Sequence, residues 1–560
     1  QANAGGEHAV IDIAKVSCIL CGIIFIVLGN FMTKAKRNAV VGVRTVWSMH
    51  NDNTWRKSNR FGAICIIITG LLTIITTVFT SGMTGTIFML IYLLFGLLVV
   101  LYGILYVKVN RDIFTPALLF LLAYIVSVGC ALFNVERWGI SMIPMTFFVL
   151  LIGAAEFVVI GVAVDRKYKK RYEGTRKKIA VKEIDLPWWK IIAASAFCAV
   201  YIALLYFNMI EIASRNGKFN TLSQALNIFK EVTSVTLKES LPWWLGQVER
   251  IAMLCAYIFL YIFVNNLVAT GRRMTKEKAL KLGACLLPVL LHLCNGFLVS
   301  DRLQMLQILV GGIVIYFLIW SYHTGKAYIS IKTIGILAIA ACGGLVLFYL
   351  SASLVGRINT KGLLEYITFY CGCSIECLNQ FFKHPPAASE IFGKETFYNL
   401  NLKLYNLGLL NLDKFYPIHL EFRYYGDVMV GNIYTAYRRW IYDFGYIGAM
   451  ILQGVMAGTM SVFYNKLKYR TFKNTGFWLV LYSYIVYTIV FHPIDGYFYL
   501  QGVSQTFVTT LILLALMYWF FVTMKVKFRG GFTVYINEKW KFEKFRFSKN
   551  KEKKNVQTRK

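Results

Sequence analysis

The sequence predicts an all-α fold, a polytopic integral membrane protein with about thirteen transmembrane helices. Three observations lead there. Apolar runs of about twenty residues, the length a helix needs to cross the hydrocarbon layer, recur along the whole 560-residue chain. Hydrophobic residues make up 57% of it and aromatics 16%, with only 9 prolines to interrupt helices, a balance outside that of soluble globular domains. Positive charge, finally, alternates between successive connecting segments.

In chain order the expected spans are about 11–32, 61–80, 85–107, 113–133, 140–164, 188–210, 245–268, 279–300, 303–322, 332–351, 443–465, 475–500 and 503–524. Segments 33–60, 108–112, 165–190, 271–281, 322–332, 466–473 and 525–560 carry 43 of the 60 Lys and Arg residues but only 10 of the 28 Asp and Glu. The positive-inside rule puts these segments in the cytoplasm, the N-terminus outside and the basic C-terminal tail inside. The net charge of +32 is then a topological signal, suited to anionic lipid headgroups, and nucleic acid is not needed to explain it. Two long segments fall outside. One, about 211–244, carries Leu222, Ala225, Leu226, Phe229 and Val232 at helical spacing, and reads as an amphipathic helix in the outer interface. The other, a large external loop of about 352–442, lacks a transmembrane period yet is rich in Tyr, Phe and Leu, and reads as a folded cap or a set of re-entrant pieces.

Several chemistries have no signature here. There is no GxxxxGK[ST], HExxH or GxSxG, no Asp-x-Asp, and no CxxC…CxxC spacing among the 12 cysteines. No metal site and no cofactor is expected. Cys371, Cys373 and Cys377 cluster in the external loop without an expected bridge, and Glu156 is an isolated acid inside a span, either structural or part of a proton path.

Residues 1–82 form a first unit. The stretch NAVVGVRTVWSMHNDNTWRKSNRFG (38–62) contains Gly-x-Arg-Thr-x-Trp and Thr-Trp-Arg-Lys-x-Asn-Arg. It resembles the repeat of the SdpI family over residues 16–80, which implies a two-helix module related to immunity and signalling proteins. The alternative is an amphipathic loop whose Trp47, Trp55 and Arg56 lie at the inner interface.

Residues 83–525 form the second unit, followed by the basic tail 526–560. Its few outside arginines stand out: Arg250, Arg302, Arg357, Arg423, Arg438 and Arg439. A guanidinium grips phosphate with two parallel hydrogen bonds, so the set suits an anionic ligand such as a lipid diphosphate, although any one of them also suits lipid headgroups.

Residues 85–525 resemble the Wzy-type O-antigen and capsular polysaccharide polymerases. The resemblance rests on Asp301-Arg302 opening a span, the large loop after it, and Asn432-x-Tyr434-Thr435-Ala436-x-Arg438 followed by Asp443-Phe444-Gly445-x-x-Gly448. It implies metal-independent transfer of a growing glycan from undecaprenyl diphosphate to another lipid-linked oligosaccharide, at the outer face of the bacterial cytoplasmic membrane. Expected partners are that lipid-linked substrate, membrane lipids and a chain-length regulator. On this reading Arg302, Arg438, Arg423, Arg357 and Arg439, with Tyr434, bind diphosphate and substrate, and Arg302→Ala or Arg438→Ala abolishes polymer. The base that takes the acceptor proton is expected among Asp427, Glu421, His419 and Asp443. Asp443 has a rival role as an acid in a helix's first turn. Tyr424, Tyr425, Tyr434, Tyr437 and Trp440 are expected to stack on sugars or to belong to an interfacial belt, and His492, Pro493 and Asp495 to mark a polar break near the outer end of the 475–500 span and form a second wall. An O-antigen-ligase-like transferase, a lipid-linked glycan flippase and a non-enzymatic sensor or immunity protein remain open.

Overall fold

The first helix, α1 (Ile13–Lys34), opens where Asp12 accepts the Lys15 amide at 3.0 Å, and α2 (Asp52–Val78) packs antiparallel against it. Glycine makes that pairing close: a Cβ on Gly22 would lie 2.9 Å from the Gly70 carbonyl, and one on Gly70 2.5 Å from that of Gly22. These details come from a computed structural model that describes residues 12–38, 52–79, 114–172, 180–236, 238–271, 274–299, 303–325, 362–528 and 532–536, with a few single positions between. Arg302, Arg357, Trp47 and most of the expected spans 85–107 and 332–351 lie outside the described residues.

Helices dominate the remaining described residues: α3 (Pro116–Leu132), α4 (Val135–Trp138), α5 (Pro144–Tyr172), α6 (Trp188–Asn216), α7 (Leu222–Lys230), α8 (Trp243–Thr270), α9 (Lys276–Ala284), α10 (Leu287–Leu298) and α11 (Leu303–Thr324). Then come α12 (Leu363–Lys383), α13 (Tyr398–Asn406), a hairpin of β1 (Arg423–Tyr425) and β2 (Val428–Gly431), and α14 (Ala436–Lys468). The chain continues through α15 (Thr475–Ile485), α16 (Tyr487–Val490), α17 (Tyr497–Gly502) and α18 (Gln505–Tyr518) to a hairpin of β3 (Met524–Phe528) and β4 (Phe532–Ile536). Among the described residues nine helical segments are long and apolar enough to cross a membrane, and two shorter apolar ones, α3 and α15–α16, accompany them. The protein is a largely helical, multi-pass membrane protein.

Its two ends differ. One end, here the basic face, holds the termini of α5, α14 and α18 that adjoin the Lys- and Arg-rich segments. There the buried Asp112 accepts the Tyr464 hydroxyl at 2.7 Å and pairs with Lys468 at 2.9 Å. Lys190 donates to the Met524 carbonyl at 2.6 Å, a cation satisfying the open carbonyls where the last helix stops. The opposite end carries residues 362–442 and is called the cap face.

Four expectations need correcting. The helix at 222–230 exists, with a Thr221–Gln224 capping box, but Ala225, Leu226 and Phe229 pack on Met209, Ile212 and Ala213 of α6. Its apolar face is thus covered by protein, because a protein neighbour lay within reach. Trp55 is not an interfacial residue: it is buried and donates to the Ala35 carbonyl at 2.9 Å, while Asn59 receives the Val43 amide at 2.7 Å. The span expected at 475–500 is not one helix. It breaks over 491–496, at the polar break expected from His492, Pro493 and Asp495, where Pro493 can donate no backbone hydrogen bond. The fourth correction concerns α14 and shapes the site.

Candidate functional site

Gly445 lies within α14 at φ 65° and ψ −173°, a conformation outside the helical region that an L side chain resists. Tyr437 and Gln453 show the consequence. Tyr437 packs on Gly153, and Gln453 donates to the Gly153 carbonyl at 3.4 Å. Sixteen residues of straight helix would separate them by about 24 Å, too far for both side chains to meet one residue. The chain therefore folds back at Gly445. Residues 436–444 form a re-entrant arm, and the rest of α14 runs parallel to α5, from Gly454 beside Glu156 to Asn465 bonded to Asp165. Gly153 sits nine residues, about 13 Å, from the cap-face end of α5, so the start of the arm is recessed below that end. Such backbone is tolerated at membrane depth where protein encloses it. Here the Ala436 amide donates to the His492 carbonyl at 2.9 Å.

Consecutive helical residues point about 100° apart, and the two arginines of the arm accordingly face different neighbours. Arg438 is sealed. Its Nη1 meets Glu395 at 2.9 Å, its Nη2 meets Glu421 at 3.2 Å, and its guanidinium lies 4.3 Å from the Phe381 ring centre and 4.9 Å from that of Tyr442. Glu421 also pairs with Arg423 at 2.8 Å, and Arg423 Nε donates to the Tyr434 hydroxyl at 2.9 Å. Burial pushes the Glu395 carboxyl up to about 7, against the pull of Arg438 and Arg439. For Glu421 burial pushes upward too, but Arg438 and Arg423 outweigh it and hold the carboxyl below its ordinary value. Arg439 instead faces Asp495, with Nη2 to Oδ2 at 2.9 Å and Nε to Oδ1 at 2.5 Å, a fork-to-carboxylate pair.

Arg439 and Asp495 belong to the wall of a cavity of about 570 Å³ between the first turns of α11, the middle of α12, residues 418–420 and 432–434, and the broken segment around α17. Asp301, Gln307, His419, Asn432, Tyr434, Tyr497 and Gln501 also line it, beside Leu303, Leu306 and Ile367. The cavity thus joins a cation, two carboxylates, an imidazole, amides and phenols to apolar walls. That mixture can hold a hydroxyl-rich ligand carrying an apolar part.

Of the residues expected from sequence, His419, Tyr434, Arg439 and Asp495 come to this cavity. Arg438, Arg423 and Glu421 form the ion network behind its wall. Asp427 lies exposed at the β1–β2 turn and does not line the cavity. Asp443 is corrected most sharply: the helix begins at Ala436 with Thr435 as its N-cap, so Asp443 is not in its first turn. Its carboxylate accepts the backbone amides of Glu395 at 3.1 Å and Thr396 at 2.6 Å, tying the cap to the arm. His492 is a buried spacer, bonded through Nδ1 to Tyr124 at 2.7 Å and through Nε2 to Gln453 at 3.0 Å. Tyr437 and Trp440 pack around it and cannot stack on a sugar, whereas Tyr424 and Tyr425 are exposed on the hairpin. Cys371, Cys373 and Cys377 lie on α12, none of them in a disulfide. Sequence reasoning missed Glu395, the closest partner of Arg438, which stands 43 residues away with no local motif. It also left Gln307 and Gln501 unremarked.

α12 closes the site from above. The external loop carried no transmembrane period, yet it contains this 21-residue helix, held on the cap-face ends of α3 and α5. Ser127 donates to the Cys371 carbonyl at 2.7 Å, and Asn379 accepts the Ile143 amide at 3.0 Å and the Thr146 hydroxyl at 2.9 Å.

Fold and site together define a multi-pass helical membrane protein with a recessed, polar, arginine-bearing cavity under a folded cap. Comparison with known proteins reaches a different part of the chain. Residues 34–107 match the model of the SdpI/YfhL protein family, a segment that starts later than the expected 16–80 and runs beyond it. Over 59 residues the chain is 32% identical to the immunity protein SdpI of Bacillus subtilis (strain 168), covering 10% of this chain and 28% of that protein. No solved structure matches the chain.

Proposed function

We propose that the chain polymerises oligosaccharide repeat units linked to undecaprenyl diphosphate, at the outer face of the bacterial cytoplasmic membrane, with the cap face outside. The observation that carries this reading is the recessed cavity in which Arg439, Asp301, Asp495 and His419 converge beside apolar walls. The donor arrives with a diphosphate leaving group, so the protein has to orient two glycans, take one proton and stabilise developing charge. Arg439, held in the fork of Asp495, supplies the cationic end, and Arg302, adjacent in sequence to Asp301, is the second phosphate-binding candidate. His419 is the base within the cavity that removes the acceptor hydroxyl proton, and Asp301 is a carboxylate of the same lining. Arg438, Glu395, Glu421 and Arg423 position the arm and do not contact substrate.

The test is full-length protein in vesicles supplied with undecaprenyl-diphosphate-linked repeat units. A ladder of lengthening products supports polymerisation. Transfer of one glycan to a foreign acceptor would indicate a ligase, and translocation without a new glycosidic bond would indicate a flippase. A second reading concerns the N-terminal unit alone. Its similarity to an immunity protein favours a protective role for residues 34–107, tested by deleting them and measuring toxin sensitivity separately from polymer synthesis.

A further inference from the structure

Two cysteines meet where the cap crosses the helical bundle. Cys130 lies in the last turn of α3, and Cys371 lies in the middle of α12. The crossing is close because α12 carries Gly372 there. A Cβ at that position would lie 2.4 Å from the Ala131 nitrogen and 2.6 Å from the Cys130 carbonyl carbon. Helices packed through a layer of side chains stand about 8–10 Å apart at their axes, so touching backbones mark a tighter approach. Ser127 fixes the register: its Oγ donates to the Cys371 carbonyl at 2.7 Å, and it lies one turn before Cys130 on the same face of α3. The two thiols are side-chain neighbours as a result. Both residues are partly exposed, and Cys371 lines the polar cavity. The other cysteines of α12 face elsewhere: Cys377 donates to the Gly431 carbonyl at 3.5 Å, and Cys373 packs on Gly431.

We propose that Cys130 and Cys371 form a reversible disulfide that staples the cap helix to the bundle, with a low-molecular-weight disulfide as oxidant. The Cys371 thiolate attacks one sulfur of the oxidant, and the other sulfur leaves as a thiolate and takes a proton. The Cys130 thiolate then attacks Sγ of Cys371 in the mixed disulfide and expels the second thiol. Two protein thiols thus give up two protons and two electrons, and the oxidant leaves as two thiols. Cys371 reacts first because it lines the polar cavity, and Cys130 is the resolving thiol. A disulfide needs Cα atoms about 4.4–6.8 Å apart, a separation that a crossing with touching backbones supplies. The cap face lies outside under the proposed orientation, in the compartment where disulfides persist; the staple does not depend on polymerase chemistry. A second pair gives the contrast. Cys198 of α6 and Cys255 of α8 are also neighbours, but both are buried well inside their spans and neither lines the polar cavity. An aqueous oxidant should leave that pair reduced.

The experiment treats full-length protein in phosphatidylglycerol vesicles with 2-hydroxyethyl disulfide, then alkylates and digests it without reduction. Mass spectrometry should find the Cys130 and Cys371 peptides joined, lighter than their reduced sum by two hydrogens, and parted again by dithiothreitol. In Cys130→Ser the hydroxyethyl adduct should accumulate on Cys371 about tenfold above wild type, because the resolving thiol is gone. Hydrogen exchange of the α12 amides should slow about tenfold in the oxidised protein. A stable hydroxyethyl adduct on Cys371 in wild type, a bridge to Cys373 or Cys377, or no reaction at Cys371 in either protein would overturn the staple. Unchanged exchange across α12 would overturn its hold on the cap, and equal oxidation of Cys198 and Cys255 would overturn selection by the cavity.

Discussion

Arg438→Ala separates a structural arginine from a catalytic one. The side chain is 1% exposed and joins the arm to two cap segments through Glu395, itself 12% exposed, and Glu421. Truncation leaves the largely buried Glu395 without its nearest cation, a loss of about 3–5 kcal/mol above pH 7, where the carboxyl is ionised, and a smaller one below it, where it is protonated. Glu421 is 38% exposed and keeps Arg423 at 2.8 Å, so losing that second pair adds only about 0–1 kcal/mol. Contact with the Phe381 and Tyr442 rings disappears in the same change and is not a separate sum. A double-mutant cycle with Glu395→Gln isolates the pair. Arg438→Ala alone should be strongly destabilised, while Arg438→Ala in the Glu395→Gln background should recover about 2–3 kcal/mol, read by equilibrium unfolding of the purified protein in mixed micelles. A stable Arg438→Ala variant with no coupling to Glu395 and no polymer synthesis would refute the reasoning, because the arginine would then be acting on substrate.

Arg439→Lys keeps the charge but loses the planar fork that meets Asp495, and on the proposed reading polymer synthesis should fall about a hundredfold; unchanged synthesis would remove Arg439 from the proposed phosphate site. Glu395 titrates at about 7 when folded, above its unfolded value, so the folded protein favours the protonated form. That contribution is complete below the unfolded pKa and is lost as pH rises toward 7. Unfolding curves should therefore show wild type losing stability relative to Glu395→Gln across this window, and parallel pH profiles would contradict the buried carboxyl. Gly445→Ala meets no atom within 4 Å of the new Cβ, so its cost is backbone strain alone, about 1–3 kcal/mol. Full stability and full synthesis in that variant would argue against the fold-back at residue 445.

How much was legible in the sequence varies with the range of the interaction. The helices at 144–172, 188–216 and 243–270 could be located because lipid imposes one requirement on every residue of a span. Arg438 and Arg439 stood out because positive charge is scarce outside the basic segments. Their division of labour was not legible. Glu395 and Asp495 stand 43 and 56 residues from the arginines they hold, and no spacing rule links such positions. Asp443 looked like a helix-start acid because a local pattern permits that role. Its actual partners, the amides of Glu395 and Thr396, come from the cap.

By itself, the sequence determined the class of protein, the alternation of basic segments and the arginine-bearing stretch as the place to look. Hydropathy and charge act through solvent, and each residue reports them alone. Only the tertiary structure decided that the stretch folds back at Gly445, that Arg438 is locked behind the wall, and that Arg439 faces the cavity. Those outcomes depend on which distant backbone and carboxylates close around each side chain, and packing settles that between segments that no local pattern relates.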